Sequence, residues 1–298
     1  MALILASTIT TILTLILILI LQGNLSHLFG VEDSPSVALS LIKDFLVPIS
    51  SSFGGALLGA IGAYRLALRK DKKDEKEEEL TLLTSAFFVL KAQLNDLIAI
   101  KKSIILPYQD KPVRMISIPT ATYVNSVEQR VPEKVFSVLI KYKLPVVAES
   151  IHIAERRYLN QKEIHGVRNE LIRSYYEHLE RGGVCTFDFL SLDESCKLFG
   201  INNMCQLYSM TEHFISFTDD SIYSLLAAMK DLQDAIDTEF SDDIYVKIRF
   251  EIPSKNQEYL EPAVPPYFQS INHLLGFLKK PKFELKMYKA SSYRVHIG

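Results

Sequence analysis

The sequence predicts a membrane protein in which an N-terminal two-helix transmembrane hairpin precedes a mostly α-helical (α+β) cytosolic domain with a small C-terminal antiparallel sheet. Three observations carry that prediction. Met1–Gln22 and Phe45–Tyr64 are apolar runs of spanning length without a single charged residue, and the second ends in a block of cations. From Glu77 the apolar residues recur at helical spacing, and beyond Ile244 they alternate in period two. The implied organisation is a hairpin over 1–70 with spans at about 2–21 and 45–66, a juxtamembrane helical stalk over 71–106, and a cytosolic domain over 107–298 whose β elements begin at about 244.

A span of about 20 apolar residues covers a hydrocarbon core of roughly 30 Å. The first run starts directly at Met1, holds no Lys or Arg, and lacks a small-residue cleavage site. It therefore reads as a retained helix rather than a signal peptide. Ser7, Thr8 and Thr11 can return hydrogen bonds to their own helix backbone, so they do not oppose spanning. Gly23–Asp44 contains Gly23, Asn24, Gly30, Ser34 and Pro35, the residues of a loop. After the second run come Arg65, Arg69, Lys70, Lys72 and Lys73, a basic collar at the membrane exit. Cationic flanks stay on the cytoplasmic side, which puts both termini in the cytoplasm and Gly23–Asp44 outside.

Within the second run, Ser51, Gly55, Gly59 and Ala63 stand four apart and form one smooth stripe on a helix. In lipid, small residues at this spacing let helix backbones approach closely where no hydrophobic force drives association. The stripe is a packing face, either for the first span or for another copy of the chain. The following DKKDEKEEE, residues 71–79, reads as a solvated helix leaving the membrane, its inner turns basic and its outer turns acidic.

Leu83, Phe87, Leu90, Leu94 and Leu97 alternate spacings of four and three, and Ile104 resumes the register. This heptad-like seam packs inside the cytosolic domain or, alternatively, forms a self-associating stalk. Pro107–Pro132 is irregular, with a short strand expected around Val113–Ile118. Helices are expected over Pro132–Tyr142 and over Pro145–Arg181, the latter closed by Gly182–Gly183. Val184–Leu190 reads as a strand or an extended connection. Asp193–Phe217 and Asp219–Phe240 read as two further helices, the second starting from an Asp–Asp–Ser cap. Ile244, Val246, Ile248, Phe250 and Ile252 alternate as a half-buried strand, a short helix follows near Pro266–Leu278, and Phe283–Met287 and Tyr293–Ile297 alternate again.

The 298 residues carry a net charge of −2, which gives no overall bias toward nucleic acid or anionic lipid. Cys185, Cys196 and Cys205 make no CxxC spacing and lack a fourth ligand, so free thiols are expected and no metal site. No phosphate-binding glycine loop, dinucleotide fingerprint, nucleophile elbow or HExxH is present, and no cofactor is implied. Glu149 and His152 have the Glu-x-x-His spacing of di-iron bundles, which need that motif twice. The basic residues of 155–181 are balanced by Glu155, Glu163, Glu170, Glu177 and Glu180, which argues against direct nucleic-acid contact.

Arg173-Ser-Tyr-Tyr-Glu-His178 resembles the Arg-x4–6-His motif of the HEPN ribonucleases, with Ser174 where that family usually has Asn, Asp or His. That resemblance implies a membrane-tethered ribonuclease toxin in which Arg173 and His178 engage the scissile phosphate across a dimer. The whole architecture (two spans with both ends inside, a small-residue stripe, a heptad helix and a cytosolic domain) resembles the two-transmembrane effectors of bacterial antiphage systems, including those that accompany retrons. That second resemblance implies an abortive-infection effector of the bacterial inner membrane, a homo-oligomer in contact with the lipid bilayer. A partner complex, for retrons a reverse transcriptase with its RNA–DNA hybrid, would hold it silent, and its release would disrupt the membrane. A third reading is a non-toxic anchor or sensor whose cytosolic domain recruits a partner.

Overall fold

A computed structural model describes residues 43–44, 47–123, 130–184, 189–241, 254–278, 287–288 and 295–297. The expected first span at 2–21, almost all of the Gly23–Asp44 loop, and the strand expected at Ile244–Ile252 lie outside the described residues, as do Phe283, Leu285 and Tyr293. Among the described residues the chain is mostly helical, and one helix is by length and composition apolar enough to cross a membrane. That helix, α1, runs over Val47–Ile100, with Pro48 in its first turn, where a missing N–H is tolerated. It contributes residues to two units, Met1–Asp74 and Glu75–Gly298.

In the first unit, α1 exposes Leu57, Leu58, Tyr64 and Leu66, and the collar residues Arg65, Arg69, Lys70, Lys72 and Lys73 are all exposed.

In the second unit, Leu80, Leu83, Phe87, Leu90, Leu94 and Leu97 are buried in that unit's own core. None of these seam residues is left on the surface for a self-associating stalk. Past Ile100 the helix widens into a π turn over Lys101–Ile105 and tightens into a 3-10 turn over Leu106–Tyr108, where Pro107 ends it. Two more long helices pack on this one: α4 over Pro145–Arg181 and α6 over Ile201–Glu239. Tyr142, just ahead of α4, bonds Glu79, and Tyr158 bonds Asp96, so α4 runs in the same direction as α1. Tyr142 also meets Phe240 at the end of α6, whereas Lys101 meets Asp219 earlier in it, so α6 runs the opposite way. One apolar cluster joins the seam of α1 to Ile151 and Ala154 of α4 and to Leu225, Met229 and Leu232 of α6. A second gathers Ile172, Tyr175 and Leu179 of α4 with Met204 and Leu207 of α6, Phe268 and Leu274.

The shorter elements fill the gaps. Helix α2 covers Arg114–Ser117, strand β1 Ala121–Tyr123, and α3 Glu133–Lys141. Helix α3 hands over to α4 through a tight turn in which the Lys143 N–H bonds Ile140 O and the Leu144 N–H bonds Leu139 O. That Schellman geometry puts Lys143 at φ 59°, a left-handed position that glycine usually fills. Strand β2 is Phe189–Leu190, and α5 covers Leu192–Phe199. Ser191 and Glu194 form a capping box at the entrance to α5. A 3-10 turn at Ser254–Tyr259, α7 over Ile271–Leu278, β3 at Met287–Tyr288 and β4 at Val295–Ile297 complete the described elements.

Two expectations are corrected. The segment expected as a strand at Val113–Ile118 is the short helix α2, where Arg114 turns inward to Glu212 and the Met115 and Ile118 carbonyls accept from Arg168. The two helices expected at Asp193–Phe217 and Asp219–Phe240 are divided elsewhere, at Gly200, whose φ of 91° stops α5 and opens α6. Asp219 is no cap: it lies inside α6 and spends its carboxylate on Lys101 and the Ala263 N–H. Most of the expected C-terminal sheet lies outside the described residues, and the strands described there pair in two separate ladders. Strand β3 pairs antiparallel with β2, and β4 pairs parallel with β1.

Candidate functional site

Helix α4 buries one residue at every step of a 4-3 repeat: Val147, Ile151, Ala154, Tyr158, Gln161, His165, Arg168, Ile172, Tyr175 and Leu179. This is a coiled-coil seam, yet its middle is polar. Gln161, His165 and Arg168 are buried between the two apolar clusters, and α6 answers them with Thr218, Phe214 and Thr211. Sequence reading missed this layer because it weighed the charged residues of 155–181 only as a balance of basic against acidic groups. The only signal was that they fall on the same 4-3 positions as the apolar residues around them.

Arg168 is fully buried, with no carboxylate partner among the described residues. Its guanidinium donates to the carbonyl of Pro119 at 2.9 Å and to that of Ile118, just past the C-terminal end of α2, where carbonyls point away from the helix. Burial lowers its pKa to about 10, so the side chain keeps its proton at neutral pH. His165 stacks on Phe214 with ring centroids 5.0 Å apart, and Asn169 bridges from it to Ala121 O. Burial, with the Arg168 charge next in weight, pushes the imidazole down to about 3. A histidine held neutral across the physiological range is a packing group, not an acid–base catalyst.

The proposed ribonuclease pair is separated. Arg173 is exposed, whereas His178 is half-buried with its edge against Phe199 and its Nδ1 2.7 Å from Ser174 O. Five residues apart on a helix of 3.6 per turn, the two side chains leave the axis about 140° apart. Within one chain they do not converge on a common phosphate. Glu149 is exposed, and His152 meets Phe136 edge-on. Among the described residues no group of three or more His, Cys, Asp or Glu is placed to hold a metal ion. Cys196 and Cys205 are free, and burial pushes the Cys196 thiol up to about 12, far from a reactive thiolate.

The other candidate is the small-residue face of α1. Gly55, Gly59 and Ala63 are exposed, and a Cβ placed on Gly54, Gly55, Gly59 or Gly62 would meet no described atom within 4 Å. A second helix backbone could therefore be accommodated against it. Comparison of the chain with protein families, with curated proteins and with solved structures returned no match.

Proposed function

We propose that this chain is a membrane-disrupting effector of a bacterial antiphage system, anchored in the inner membrane by a two-helix hairpin with both termini in the cytoplasm. The observation that carries the reading is the charge-free stretch up to Tyr64, which turns Leu57, Leu58 and Tyr64 outward and is followed at once by five exposed cations. In water that surface would be a liability, whereas in lipid it is the expected one. The helical unit after Glu75 spaces the hairpins of neighbouring copies until a partner, a protein or ribonucleoprotein, releases it. Hairpins then pack through Ser51, Gly55, Gly59 and Ala63, and the membrane leaks.

Gly55→Leu combined with Gly59→Leu should abolish toxicity in expressing cells while leaving expression and membrane insertion intact, read with a membrane-potential dye. Cells that still depolarise with the double variant overturn the packing mechanism. His178→Ala separates the ribonuclease reading, because it silences a nuclease and leaves a pore former toxic. A wild-type chain that causes no growth defect on overexpression identifies a passive anchor instead.

A further inference from the structure

Five polar side chains from α1's terminal turns, α2 and α6 converge on the backbone of one segment, Glu261–Phe268. Lys101 Nζ donates to Glu261 O, and Asp219 Oδ2 accepts from the Ala263 N–H at 2.8 Å. Gln109 Oε1 accepts from the Val264 N–H at 3.1 Å, while the Arg114 guanidinium donates to Val264 O at 2.7 Å. Tyr208 Oη donates to Phe268 O. Both cations are deeply buried and neutralised in place, Lys101 by Asp219 at 2.5 Å and Arg114 by Glu212. Charges are taken out of water only where a defined set of acceptors awaits them, and here the segment's own carbonyls belong to that set.

The segment reads like a ligand. Its sequence, EPAVPPYF, has three prolines, which remove backbone donors and favour an extended chain. Among the described backbone hydrogen bonds none starts or ends within it. Glu261, Pro262, Val264, Pro265 and Tyr267 stay exposed, and Phe268 alone is fully buried, against Tyr208 and Phe277. Backbone reading plus one aromatic anchor is how grooves hold extended, proline-containing peptides.

We propose that Lys101, Gln109, Arg114, Tyr208 and Asp219 form a peptide-binding groove whose occupant is the chain's own Glu261–Phe268, held as a releasable ligand. Attachment by hydrogen bonds, by Ala263 at the edge of the first apolar cluster and by the Phe268 ring in the second, lets the segment leave while the three-helix core stays folded. Tethering keeps its effective concentration high, so the groove is filled at rest. The proposal goes beyond the effector reading and does not rest on membrane insertion.

Hydrogen exchange on the full-length chain in detergent tests it. The Ala263 and Val264 amides should exchange through local opening, faster than the core amides of Ile172 and Leu225. Asp219→Asn should accelerate those two amides about ten- to a hundredfold, leaving the core amides unchanged. A labelled peptide of residues 258–270 should bind the Phe268→Ala protein more tightly than wild type, because the tethered competitor is weakened. Ala263 and Val264 exchanging only at the global rate in wild type, or a peptide that binds both proteins equally or neither, overturns the proposal. These wild-type and Phe268→Ala readings decide even if Asp219→Asn fails to fold.

Discussion

The stretch Val47–Tyr64 contains no charge and lies with its leucines exposed, whereas the middle of α4 carries Gln161, His165 and Arg168 and is buried. Hydrophobicity alone would have placed the two regions the other way round. In α4 the 4-3 spacing puts the polar residues on the seam, and they stay there because Thr218, Thr211 and the carbonyls of Ile118 and Pro119 meet their donors. In α1 the first stretch is apolar on every face, a pattern suited to lipid, while its continuation from Leu80 is apolar on one face and packs against protein. Periodicity and available partners decide burial, and composition comes second.

The sharpest way to break this contrast is Arg168→Ala. Removing the guanidinium leaves two buried carbonyls unmet and opens a void, so the second unit should lose about 3–5 kcal/mol in urea unfolding. A loss under about 1 kcal/mol would mean that the polar seam is incidental. Next comes the reverse experiment, a charge in the apolar stretch. Leu58→Lys should weaken membrane partition by about 3 kcal/mol, measured by fractionation of membranes, whereas Leu58→Ala should leave the urea midpoint of the second unit where it was. Retention of Leu58→Lys in the membrane fraction at the wild-type level would argue that this stretch does not sit at the centre of a bilayer.

The third experiment concerns His165. Its folded imidazole resists protonation down to about 3, whereas the unfolded group takes a proton near its ordinary 6.5. Between those values the unfolded chain binds more protons, so this contribution is complete above about pH 6.5 and is lost as the pH falls toward 3. The slope is at most about 1.4 kcal/mol per pH unit. His165→Leu removes it, and the melting temperature of that variant should fall less than that of wild type between neutral pH and pH ~4.5. Equal acid losses in the two proteins would show that another group controls the acid limb.

Much of the helical framework was legible from local chemistry. Pro145 at a first turn and Gly182–Gly183 at a last one delimit α4 at the residues the sequence indicates. The leucine seam of α1 was equally plain. The start of α6 was not, because Asp219–Asp220–Ser221 imitates a cap while Gly200 is one glycine among twelve. The turn at Lys143 was hidden because a lysine occupies a conformation that sequence reading reserves for glycine. The peptide groove was invisible for a different reason. Its members stand far apart in the chain, at 101, 109, 114, 208 and 219, and only tertiary packing brings Lys101 to an acceptor and Asp219 to a donor of the same segment. Arg173 and His178 show the converse, since a motif written in six consecutive residues is spread around the helix.

The corner between α5 and α6 depends on chirality rather than on room. A methyl group at Gly200 would find its nearest described neighbour, Asn203 Nδ2, at a comfortable 3.7 Å, but the backbone there has a φ of 91° that L-amino acids avoid. Position 166 is the mirror case, a glycine in the middle of α4 with open space around it and an ordinary helical backbone. In a saturation library the two glycines should therefore part company: alanine is welcome at one, while the other rejects every side chain alike, however small.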